Sequence, residues 1–209
     1  MHKGESMEKP VFDLEGQIGN IDAKIVVALE RIAEVFRVLL WNTGKDHKIS
    51  PLQIQLLIFL QYHSVEKCKV SYLAREFNLS KPTISEAVRT LLKKELIEKE
   101  TEPVDTRSYT IHLTEKGQKL TRQLSFFAND LQPALNGWET PEKVSFYKKL
   151  LQLVYNLQKL GFINIQRTCF NCRFYDKKAN QHYCNLLRMP LPDQQLRIDC
   201  AEFEEKTLK

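Results

Sequence analysis

Between Val70 and Gly117 the chain reads as a short helix, a tight turn, a second helix and a charged β-hairpin, an order that leaves few ways to fold. In Val70-Ser-Tyr-Leu73-Ala74-Arg-Glu-Phe77 the apolar residues recur at the three- and four-residue spacing of one helical face. Leu79 closes the turn. Ser80 can cap a second helix, because its hydroxyl accepts a bond from an N–H that the helix start leaves unpaired. Pro82 fits the first turn, where its missing N–H costs nothing. Ile84, Ala87, Val88, Leu91 and Leu92 then share an inner face, which predicts that Lys81, Thr83, Ser85, Glu86 and Arg89 face outward. After Leu96-Ile97 come a strand of alternating character, a turn over residues 102–106 and a second strand, Ser108–Leu113. This order is a winged helix-turn-helix, with the recognition helix over about 80–94 and the wing over about 97–113.

Helices are expected on both sides. Ile21 to Trp41 carries Ile25, Leu29, Ile32, Phe36 and Leu39 or Leu40 on a broad apolar stripe, wide enough to serve the chain's own core or a partner subunit. Ser50-Pro51 opens a further helix through Ile54, Leu57, Phe59 and Leu60. Beyond the wing, one helix is predicted from Thr114 to about Leu131 and another from Thr140-Pro141, ended by Gly161. The 209 residues, 43% of them hydrophobic, suffice for one full domain and a small appendage. The expected division is an N-terminal arm over 1–20, a winged-helix and dimerisation domain over 21–161 with its DNA-binding core at 50–117, and a cysteine-rich tail over 162–209.

Three stretches carry a resemblance: Leu79-Ser80-Lys81-Pro82-Thr83-Ile84-Ser85, then Asp105-Thr106-Arg107-Ser108, then Leu113-Thr114-Glu-Lys-Gly117. Together they resemble the MarR family of bacterial transcription regulators over residues 21 to about 161. The resemblance implies a mainly α, MarR-like fold with a small β wing and a helical dimerisation region. It further implies a homodimer with one recognition helix per subunit in the major groove, wings near the minor groove, and a small-molecule effector pocket between the dimer helices and the DNA-binding lobe. In that family the arginine of the D-x-R pattern enters or borders the minor groove and the aspartate orients the wing's basic residues, roles that fall on Arg107 and Asp105. The family often has a glycine after the recognition helix, where this chain has Glu95.

Bulk charge would not have singled out DNA. The net charge is +5, and around the motif Glu86, Glu95, Glu98, Glu100 and Glu102 nearly offset Lys81, Arg89, Lys93, Lys94, Lys99 and Arg107. Placement is more informative. Lys93, Lys94, Lys99 and Arg107 are candidate phosphate or wing contacts, while Ser80, Lys81, Thr83, Ser85 and Arg89 are candidates for base edges or nearby phosphates of a pseudo-palindromic double-stranded operator. For each alone, the alternative is a solvated helix face.

The tail is the unusual part. Cys169-Phe-Asn-Cys172 is followed by Cys184 after eleven intervening residues and by Cys200 after fifteen more. In a reducing cytoplasm four clustered thiols point to metal ligation rather than disulfides, and an ion or cluster would supply folding energy that so small a segment lacks. The metal is left open between zinc and an iron–sulfur cluster. Zinc ribbons usually offer two C-x-x-C knuckles and this tail has one, whereas Phe170, Phe174, Tyr175, Tyr183 and Phe203 could shield a cluster. The order C-x-x-C, C, C is also similar to that of high-potential iron–sulfur proteins. His182 reads as a second-shell group more than a ligand, and Cys68 as a small packed side chain more than a redox sensor.

No Gly-rich phosphate loop, nucleophile elbow or H-E-x-x-H pattern marks an enzyme. No secretory or membrane segment is visible, so a cytoplasmic protein is expected. The leading expectation is therefore a sequence-specific regulator with a metal- or cluster-bearing tail. The alternatives are a protein-interaction module built on the winged helix and metal knuckle, and an iron–sulfur electron-transfer protein.

Overall fold

The computed structural model describes residues 9–101, 109–164, 166–178 and 181–206. Its elements run α1 (Ile21–Lys45), α2 (Pro51–Tyr62), α3 (Val70–Glu76), α4 (Lys81–Lys93), β1 (Ile97–Thr101), β2 (Tyr109–Leu113), α5 (Glu115–Leu124), α6 (Thr140–Lys159), β3 (Tyr175–Lys178), β4 (Gln181–Cys184) and β5 (Met189–Pro190). Short 3₁₀ turns interrupt the connections.

Helix α2 is apolar nearly all round because it is the centre of the lobe. Its Ile54, Leu56 and Leu57 are fully enclosed, and α1, α4, α5 and β2 all pack on it. Ser50 and Gln53 start it with a reciprocal capping box behind Pro51. Leu73 and Ala74 of α3 and Ile84, Ala87, Val88 and Leu91 of α4 complete this core, joined by Leu96, Ile97 and Ile111 from the wing. The wing is an antiparallel pair in which Ile97 faces Leu113 and Thr101 faces Tyr109. Its inner edge is tied to the lobe where Ile111 N–H donates to Cys68 O at 2.9 Å.

After α4 the chain reverses with Glu95 at φ +58°, the left-handed region that favours glycine. Leu96 N–H returns to Leu91 O and Glu95 N–H to Leu92 O, so the αL turn typical of a glycine stop is made here with a side chain in place. The backbone requirement persists and the strain stays. Glu95→Gly is expected to raise stability by about 1 kcal/mol, read by urea unfolding, since the left-handed conformation costs a non-glycine residue roughly that much and the Glu95 side chain gives up only an exposed contact to Lys116 at 3.5 Å among the described residues.

One helix boundary differs from the sequence expectation. The helix predicted to run to about Leu131 stops at Leu124, and a separate 3₁₀ segment covers Asn129–Leu135. Thr121 Oγ1 bonds back to Gly117 O and Ser125 Oγ to Thr121 O, both at 2.7 Å, a pattern that competes with regular helix. The turn lets Phe127 pack on the core while Phe126 stays exposed.

The tail folds as a small unit of its own. Strands β3, β4 and β5 form an antiparallel sheet, with Tyr175 opposite Cys184 and Cys184 opposite Met189. Its core joins Cys169, Leu191 and Leu196 to Leu151 of α6. Tyr147 of α6 donates to Leu196 O at 2.7 Å, and Lys148 pairs with Asp193 at 2.8 Å.

Candidate nucleic-acid interface and cysteine cavity

Helix α4 has one face locked in the core and the other in solvent. Ser80 caps it, its hydroxyl accepting from Thr83 N–H at 3.3 Å and lying 2.8 Å from Thr83 Oγ1. Such a cap contributes about 1 kcal/mol. Ser80, Lys81, Thr83, Arg89 and Lys93 are exposed and Ser85 is half-buried. Arg89 is held by Glu86 at 2.7 Å, an exposed pair that a stronger anion can displace at little cost. On the adjacent wing Lys99 is exposed, its ammonium 3.9 Å from the centroid of the Tyr109 ring. Lys94, half-buried, spends its carbonyl on Lys116 Nζ at 2.8 Å. Asp105 and Arg107 lie outside the described residues.

The corner between α4 and the wing is fixed from α5. Thr114 Oγ1 donates to Glu95 O at 2.8 Å and accepts from Gly117 N–H at 3.0 Å, and Thr114 N–H reaches Leu96 O. Gly117 lies so close to Leu96 that an added Cβ would sit 1.9 Å from Leu96 O. The Leu-Thr-Glu-Lys-Gly stretch thus acts as the clamp that sets the wing beside α4.

The four tail cysteines, separated by up to 31 positions, line one cavity. All four are free thiols. Arg197 N–H donates to Cys169 Sγ at 3.1 Å, and Arg197 Nη1 to Cys200 Sγ at 3.4 Å. Among the described residues, no group of three or more His, Cys, Asp or Glu side chains is placed to hold a single metal ion. His182 does not reach the cysteines as a ligand would: its Nδ1 lies 2.6 Å from Tyr175 Oη and its Nε2 3.2 Å from Asp193. Cys68 does not line this cavity, and burial pushes its thiol up to about 11, which leaves it protonated.

Sequence reasoning missed a polar node that joins the tail to the helix-turn-helix. Arg167, only 7% exposed, donates to Asp199 through Nε at 2.7 Å and Nη2 at 3.1 Å, and through Nη1 to Glu76 of α3. His63, at the end of α2, stacks on Phe59 with its Nε2 2.9 Å from Asp199 and 3.0 Å from Arg167. The His63 contact and the Arg167 guanidinium hold the Asp199 carboxyl well below the usual carboxylate range. Asn164 adds bonds to Arg75 O at 2.7 Å and Asn78 Oδ1 at 2.9 Å. The one local signal was a charged residue beside each outer cysteine: Arg167 two positions before Cys169, and Asp199 just before Cys200.

A half-buried helix with an exposed polar face beside a two-stranded wing defines a winged helix-turn-helix protein. Residues 47–108 match the model of the MarR family. The crystal structure of the S. aureus MepR–DNA complex is similar with a TM-score of 0.57 at 22% identity, covering 63% of this chain and 97% of that one. A MarR transcriptional regulator from Methanosarcina mazei Go1 gives 0.57 at 20% identity, covering 65% and 97%. A MarR family regulator from Listeria monocytogenes, complexed with 26-mer DNA, gives 0.55 at 20% identity, covering 64% and 89%. These likenesses establish the winged-helix fold and leave more than a third of this chain uncovered. No helix among the described residues is long and apolar enough to cross a membrane.

Proposed function

We propose that the protein is a MarR-type transcription regulator, not an enzyme, that binds a pseudo-palindromic double-stranded operator as a homodimer in the cytoplasm. The observation that carries this reading is α4, whose Ser80, Lys81, Thr83 and Arg89 stand in solvent while its opposite face is fixed in the core. A helix so held can enter a major groove without rearranging, and in this reading the exposed Lys93 and Lys99 meet phosphates. The DNA complexes of the S. aureus and Listeria proteins support the same use of the fold. Arg107 and Asp105 take the minor-groove and orienting roles in this reading, and Ser85 lies at its margin.

Dimerisation is supported by α1. Along its 25 residues only Ala23, Leu40 and Gly44 are buried, while Ile25, Val26, Ile32, Val35, Phe36 and Trp41 are exposed. A continuous apolar face of this kind is rare on a monomer. A second copy covers it in this reading, and two-fold symmetry then sets the two recognition helices about one DNA turn apart. An effector pocket would lie between these helices and the lobe, with a small-molecule ligand shifting their separation.

Binding to DNA selected from a random pool, measured by fluorescence anisotropy, tests the assignment. Thr83→Ala or Arg89→Ala is expected to shift preference at a contacted base by about 1–3 kcal/mol. Lys93→Ala should weaken all sequences alike and lower the log–log salt slope by about 1. Indifference to half-site spacing would overturn the symmetric dimer. Absence of binding even at low ionic strength would overturn the regulator and favour a protein-interaction module.

A further inference from the structure

We propose that the cavity lined by Cys169, Cys172, Cys184 and Cys200 holds an iron–sulfur cluster of the four-iron, four-sulfide class, one thiolate to each iron. A single zinc ion needs its ligands about 2.3 Å from one common point. Here all four cysteines line one cavity, yet among the described residues no three donors are placed around a single-ion position. A cubane spreads its ligand sites over four irons, so its cysteines surround a volume instead of a point.

The walls suit that cofactor. Leu186, Leu187 and Leu191 line the cavity with Phe174, an apolar surround that limits water at a cluster. Backbone N–H to sulfur hydrogen bonds, such as Arg197 to Cys169, stabilise thiolate ligands and tune the cluster. The ligands also come from separate structural pieces. Cys169 starts a 3₁₀ turn, Cys172 follows it and bridges to Glu205, Cys184 ends β4, and Cys200 lies beyond β5. A cofactor bonded to all four would fasten a unit whose own buried core is only a few side chains.

Two of the ligands adjoin the polar node that reaches the helix-turn-helix. Cys200 N–H donates to Arg167 O at 3.1 Å, and Arg167 and Asp199 join Glu76 of α3 and His63 of α2. Cluster occupancy therefore fixes the position of α3 and with it α4, and in the operator-binding reading, on which this step alone rests, it raises DNA affinity.

Protein purified without oxygen is to be assayed for iron, acid-labile sulfide and zinc, with a visible spectrum, before and after anaerobic reconstitution of the full chain with ferrous iron and sulfide. About four irons and four sulfides per chain, with a broad visible absorption band that is lost in Cys184→Ser, are expected. One zinc without sulfide, or no iron and sulfide after reconstitution, overturns the cluster. The wild-type assay decides this even if the variant fails to fold. The coupling is read separately, as operator affinity of cluster-loaded against cluster-free wild-type protein, with at least a tenfold loss expected. Equal affinity overturns the coupling and leaves the cluster standing. Absence of DNA binding in both forms overturns the operator reading, while the iron and sulfide content still decides the cofactor.

Discussion

Arg167→Ala is expected to destabilise the folded chain by about 3–5 kcal/mol, read as a lower urea midpoint. The cost is not the value of one ion pair. Removing the guanidinium leaves Glu76, itself only 14% exposed, without its cationic partner, and takes from Asp199 the group that satisfies both its oxygens. Losing the partner of a buried charge costs far more than an exposed pair, which is worth about 0–1 kcal/mol. Arg167 also lies 5.3 Å from the centroid of Phe59, so its plane packs as well as pairs. Arg167→Lys should recover only part of the loss, because an ammonium cannot present a planar fork to two carboxylates at once. A change below about 1 kcal/mol for alanine would show that water replaces the guanidinium and that the node does not bind the tail to the lobe.

Gly117→Ala is expected to cost about 3 kcal/mol by the same measurement, against the usual direction for glycine in a helix. Helix propensity alone would make alanine better by about 1 kcal/mol. The added Cβ, however, would stand 1.9 Å from Leu96 O and 2.9 Å from Leu96 C, and backbone atoms held by the Thr114 bonds cannot swing aside as a flexible side chain would. The clash wins, and relief requires moving α5 away from the base of the wing. In the operator-binding reading, loss of DNA binding beyond what the stability change explains is expected too, since β1 and α4 meet at that corner. A neutral or stabilising result would mean that the corner yields and does not set the wing.

How much of this was legible in the sequence follows from how local each feature is. Helix α4 could be read because Ser80, Pro82 and the spacing of Ile84, Val88 and Leu91 all act within a turn or two of one another. The wing strands were legible for a similar reason, as was the identity of four clustered thiols. The end of α5 was not, because Thr121 and Ser125 divert their hydroxyls to backbone carbonyls, and neither residue type announces that choice. Glu95 conceals its turn, as the αL conformation there is imposed by the bonds to Leu91 and Leu92. The polar node was out of reach altogether. Arg167 and Glu76 are 91 positions apart, and His63 and Asp199 are 136 apart, with no periodicity linking them. The dimer-facing assignment of α1 is legible only as a stripe, which looks the same whether it is covered by the chain itself or by another copy.

The tail touches α6 through Tyr147 and Lys148 and touches α2 and α3 through His63 and Glu76, while α6 itself packs most closely on the tail's Asp193–Gln195 turn. The tail thus packs on both α6 and the lobe, which residues 125–139 of the chain also connect, and three bodies linked in this way make a truss. Two helical units joined by a loop alone could swing about it, but once a third member spans them the angle changes only if a strut lengthens or gives way. Helix α6 and the winged lobe of this chain are thus triangulated, and the strut is the piece that carries the cysteines.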